Sequence, residues 1–247
     1  MTKRRKLVLE SIIITSGFLA TQFVELNFRY GAINNLAYNF LTDRSFILKD
    51  DLKKIGWLVV LIPPVWYTIL ASLFYFLLPQ GILIRILILI FFGIGIYAVL
   101  LSNNIFSVAS QFKTIPLLRA AQAISFLLTL ITAFFGYNTI FSFKLTGWLN
   151  SLFVFLISFP LILSAIWSVT LEEKITKQVF SYAGVLSFII AQMALFISFW
   201  PLTITIASLF LISFFYVTLG IVQTYFSGKL FKKALKEFLQ VGIIIFV

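Results

Sequence analysis

Few side chains in this sequence can do chemistry inside an apolar environment, and they fall in recognisable places. Arg85 interrupts the run "GILIRILILIFF" and offers a guanidinium as an anion contact. It also lies one helical turn past Pro79-Gln80-Gly81, so its head can reach a surface beside Tyr75. Gln122, Ser125, Thr129, Thr132, Gly136 and Thr139 recur at steps of three and four, which puts them on one helix face. Ser181, Gly184, Ser187, Ala191, Ala194 and Ser198 form a second such seam. Small and hydroxyl side chains at this spacing let helices approach closely and bond to one another. The other use for such groups is a polar path through a bundle, and Thr129, Thr132 and Gln192 are the candidates for it.

Most catalytic arrangements are excluded by residue type. The chain has no histidine and no cysteine, so a histidine-dependent serine site, a thiolate, a disulfide and an HExxH zinc site cannot be built. An intramembrane aspartyl dyad needs two aspartates within apolar helices, but Asp43, Asp50 and Asp51 all precede Ile55. Glu10 and Glu25 sit near the ends of the first apolar segment, and Glu172 and Glu173 sit in a short loop. No lysine for a Schiff base lies between Leu202 and Phe226. These residues predict no catalytic set, cofactor or metal. The enzyme reading left standing is lipid modification by Glu10 or Glu25 with Arg85.

The elements that position these groups follow from composition. Of 247 residues, 61% are hydrophobic and 11% charged, against about 25% charged in soluble domains. The mean hydropathy of +1.08 comes from long blocks: Ile55 to Pro79, Ile82 to Ser102, Ala120 to Phe141, Leu149 to Val169, Val179 to Trp200 and Leu202 to Phe226. Each supplies the ~20 apolar residues that a helix needs to cross a bilayer, where backbone groups must bond internally. The fold class expected is all-α: a polytopic transmembrane bundle of six spans, in one integral membrane domain over 1–247. Residues 1–27 add a first helix, 28–54 a cytoplasmic amphipathic segment, 55–226 the six spans, and 227–247 a basic interfacial helix. The short turns at Pro79-Gln80-Gly81 and Trp200-Pro201 predict two helical hairpins. Trp57, Trp148, Trp167 and Trp200 fall at block ends, as headgroup belts do. Pro63-Pro64 predicts a kink in the first of the six spans.

Charge orients the bundle. With the first helix spanning and its KRRK tail in the cytoplasm, six cationic side chains are inside and thirteen outside, against the positive-inside tendency. Reversing the protein puts thirteen inside. Letting residues 7–27 enter and return without crossing puts seventeen inside. Length favours a spanning first helix and charge a re-entrant one, so the sidedness of the N-terminus stays open. In both acceptable arrangements 28–54, 103–119, 170–178 and the C-terminus are cytoplasmic. In "KLFKKALKEFLQ" the apolar stripe Leu230, Phe231, Ala234, Leu235, Phe238 and Leu239 opposes Lys229, Lys232, Lys233 and Lys236, which suits an anionic leaflet. The expected partners are the bilayer's anionic headgroups and a second copy or another membrane protein. The net charge of +11 does not imply nucleic acid, because the cationic residues are scattered between apolar blocks.

Two patches carry a resemblance: "SVASQFKTIPLLRAAQAISFLLTLITAFF" at 107–135 and "VFLISFPLILSAIWSVTLEEKITKQV" at 154–179. They resemble a family of uncharacterised polytopic membrane proteins from small-genome, candidate-phylum bacteria, over about Ser107 to Val247. The resemblance implies a prokaryotic plasma-membrane location and carries no activity. Pro79-Gln80 resembles one copy of the proline-glutamine motif of small seven-helix sugar and amino-acid carriers. The outline is also similar to six-helix export permeases. The function expected is a non-enzymatic membrane component or accessory subunit, with a small-solute or lipid carrier, or an export-permease subunit, as the alternative.

Overall fold

The computed structural model describes residues 3–21, 57–78, 81–111, 117–172, 175–228 and 240. Seven helices fall among them: α1 Lys3–Thr21, α2 Trp57–Phe76, α3 Ile82–Gln111, α4 Leu118–Ser142, α5 Gly147–Thr170, α6 Lys177–Ser198 and α7 Ile204–Phe226. No strand occurs among the described residues. The all-α expectation holds, and α2 to α7 are each long and apolar enough to cross a membrane. Both hairpins form, α2 packing on α3 and α6 on α7. Among the described residues the apolar part of α1 runs from Leu7 to Leu19. The amphipathic segment 28–54, the basic helix expected beyond Gly228 and Glu25 lie outside the described residues.

The helices group into two compact units, Met1–Leu128 and Thr129–Val247. The boundary falls inside the continuous helix α4, where no linker composition marks it. In the first unit α1 packs on α3. Fully buried Phe18 stacks on Phe92 at 4.3 Å and meets Tyr75 edge-on at 5.5 Å. A Cβ at Gly93 would stand 3.3 Å from Thr15 Oγ1, so the missing side chain is what lets α1 lie this close. In the second unit α5 is the central element and packs on both α6 and α7. Leu161, Ile162 and Ile166 of α5 are buried with Phe215 of α7 and Tyr137 of α4.

Two sequence readings are corrected. The second apolar block was expected to end at Ser102, but α3 continues to Gln111, a helix of 30 residues and about 45 Å. The Asn103-Asn104 pair does not end the helix, because Asn103 is buried and bonded to the neighbouring helix. Trp167 is buried rather than set in an interfacial belt. Its indole N–H donates to the Glu172 carbonyl at 3.0 Å, across the left-handed Leu171 that caps α5. Trp148 and Trp200 do stand exposed at helix ends, as belts require.

Candidate functional site

The most informative polar contact begins with two residues that lack a donor. Proline has no backbone N–H, so Pro63 and Pro64 inside α2 deprive the Val59 and Val60 carbonyls of their donors four residues on. Val59 and Val60 are each 1% exposed, so water cannot stand in. Asn103 of α3 does: its Nδ2 donates to Val60 O at 2.7 Å, and the side chain is itself buried. After the proline pair, Thr68 Oγ1 donates to Pro64 O at 2.8 Å and Ser72 Oγ to Thr68 O at 2.7 Å. Such back-bonding hydroxyls favour a bent helix. Tyr67 then leans across to α3, its hydroxyl donating to Phe91 O at 3.3 Å. It fits because position 95 is glycine, where any Cβ would overlap the Tyr67 hydroxyl.

The second unit uses the same device. Ser151 of α5 donates to Ala191 O of α6 at 2.7 Å. Asn150 Nδ2 donates to Ser198 Oγ at 3.2 Å and to Leu145 O at 3.3 Å. Tyr137 of α4 and Ser158 of α5 share a 2.7 Å hydroxyl bond. Gln223 of α7 donates to Ala165 O of α5 at 2.8 Å. Every one of these bonds joins one helix to another or fastens a helix end, so chemically the arrangement fixes helix positions. Among the described residues no group of three acidic side chains comes together that could hold a metal ion. The strengths differ in kind. The Ala191 carbonyl lies inside an unbroken helix and keeps its helical donor, so Ser151→Ala is expected to cost only about 0.6 kcal/mol of unfolding free energy. Titration into denaturing detergent, read by circular dichroism, checks this.

The residues singled out by type and spacing are placed as follows. Thr129, Thr132, Gly136 and Thr139 are buried, and so are Ser187, Ala191 and Ala194, so both seams serve packing over most of their length. Thr129 and Thr132 do not share their burial with Gln192, which stands on the exposed face of α6. Arg85 is half-buried in the first turn of α3, and Glu10 is half-buried in α1. Asn103, Asn150 and Gln223 were not foreseen. For Asn103 a signal existed. The Val60 carbonyl that Pro64 leaves without a helical donor lies about 20 residues before the Pro79-Gln80 turn and needs a donor at a similar height on the paired helix, and Asn103 lies about 23 residues beyond that turn.

Helices and composition together define an all-α protein in which six of the described helices are long and apolar enough to cross a membrane. Within that class the chain belongs to the family described as a protein of unknown function, DUF5656, whose model matches residues 39–247. No curated protein and no solved structure matches the chain.

Proposed function

We propose that the chain is a non-enzymatic, multi-pass component of a prokaryotic plasma membrane, an accessory subunit that works in an assembly, with its C-terminus in the cytoplasm. The carrying observation is that the bonded amides and hydroxyls between its apolar helices hold helix to helix: Asn103 to Val60, Ser151 to Ala191 and Gln223 to Ala165. A catalyst or carrier keeps such groups aimed at a substrate. Family membership is compatible with this reading and assigns no reaction. The distribution of cationic residues supports the cytoplasmic C-terminus, and the basic stripe from Lys229 to Lys236 supports contact with anionic headgroups.

Purification in a mild detergent tests the proposal. A stoichiometric partner or a defined oligomer is the expected result, read by mass spectrometry and by light scattering of the protein component. A monodisperse monomer that retains neither, from membranes in which the protein is expressed at native level, overturns it.

A further inference from the structure

We propose that the exposed face of α6 centred on Gln192 is where a second copy of the chain packs, with the two Gln192 amides bonded to each other across a two-fold axis. This rests on the reading of the chain as a membrane component that assembles, and it names the surface and the group responsible. Gln192 is exposed and makes no hydrogen bond among the described residues. Around it at helical spacing stand Val185, Phe188, Ile189 and Phe196, exposed by 56%, 57%, 36% and 68%. An apolar face of this kind suits lipid in every respect but one, since an acyl chain has nothing to offer a carboxamide.

Gln192 cannot escape to water easily. It lies six residues, about 9 Å, inside the Ser198 end of α6. Helical side chains leave the backbone tilted toward the N-terminus, and here that direction leads away from the nearer surface. The amide therefore needs a polar partner brought by another protein helix. A second copy supplies it without further assumption, because a primary amide carries both donor and acceptor and so complements itself about a two-fold axis. The helix surface also allows the approach. Gly184, Phe188, Gln192 and Phe196 follow one another at steps of four, a ridge of the kind that packs into its own copy. Nothing lies within 4 Å of where a Gly184 Cβ would stand, so a neighbouring ridge has room there.

The absence of cysteine makes a clean test available. Phe188→Cys and, as a control on another exposed apolar face, Leu87→Cys are each introduced as the single thiol in the full chain and oxidised in native membranes. Phe188→Cys is expected to give disulfide-linked dimers and Leu87→Cys a collisional background. Adding Gln192→Leu to Phe188→Cys is expected to lower the dimer yield by at least about five-fold. The unfolding midpoint of the detergent-isolated monomer should not change, since Gln192 makes no hydrogen bond among the described residues. Equal yields at the two positions, or yields unaffected by Gln192→Leu, overturn the inference. A heterologous partner that co-purifies while Phe188→Cys stays uncrosslinked also overturns it, and leaves the accessory-subunit reading standing. A monomer with neither partner nor crosslink removes both.

Discussion

Gly95→Ala should destabilise the first unit by about 2 kcal/mol, in the range that overpacking a tight core costs. The cause is local and specific. A methyl group at 95 would overlap the Tyr67 hydroxyl and lie 2.5 Å from ring carbon Cζ. The ring has no vacant side to move to. It is 4% exposed and stacks at 5.6 Å on Phe92, which is stacked in turn on Phe18 of α1. Relief must come from separating α2 and α3, and that disturbs the aromatic column joining three helices. Gly93→Ala is the internal comparison. Its Cβ would meet Thr15 at 3.3 and 3.5 Å, a contact that a shift of a few tenths of an ångström relieves, so the loss should be clearly smaller. Replacing Tyr67 by leucine in the Gly95→Ala background should recover part of the loss, whereas Tyr67→Leu alone should only weaken packing. Unfolding midpoints in detergent read all four variants, and a Gly95→Ala midpoint equal to that of the parent would falsify this account.

This sensitive spot was invisible in the sequence. Gly93 and Gly95 sit two residues apart in one apolar run, and hydropathy scores them alike. Only the path of Tyr67 from α2 separates a tolerant position from an intolerant one. What hydropathy does carry is span: Ala120 to Phe141 became Leu118–Ser142, and Leu202 to Phe226 became Ile204–Phe226. A bilayer-length apolar run leaves the backbone little choice but helix. Boundaries fail where a polar residue has a partner in another helix. Asn103 looked like the end of a span because unpaired amides belong in water, and it lies in mid-helix because it is paired.

Facing is the other quantity that composition cannot supply. Ala191 and Gln192 are neighbours in sequence, yet a step of about 100° buries one and exposes the other. The α6 seam was legible as a seam from its spacing. Which groups lay on it and which stood off it was not. Length and packing likewise separate at α1. Its described apolar stretch Leu7–Leu19 covers about 20 Å, short of the ~30 Å of a hydrocarbon core, while Phe18 and Thr15 pack it closely on α3. Charge counting and this packing concern different questions, so a helix can be firmly held by the bundle whether or not it crosses.

Asn103→Leu should cost about 2 kcal/mol, the penalty for leaving a buried acceptor without a donor. The Val60 carbonyl has lost its i+4 helical donor to Pro64 and accepts from the Asn103 amide at 2.7 Å. This places the bond apart from Ser151 to Ala191, where a second donor remains. The distinction can be measured, because Pro64→Ala restores the missing N–H. In that background Val60 O regains its helical bond, and Asn103→Leu should then cost well under half as much. The double-mutant cycle should therefore give a coupling of about 1 kcal/mol or more between Asn103 and Pro64, although their side chains need not touch. A purely packing role for Asn103 predicts the opposite. Leucine would then cost the same with proline or alanine at 64, and the two substitutions would add. Pro64→Ala by itself tests a further consequence. If the proline were present only to kink α2, removing it should straighten the helix and strain the Tyr67 contact with α3. If it is present together with Asn103 as one locking device, the single substitution should be mild, because the freed Asn103 amide can still share the Val60 carbonyl as a second donor.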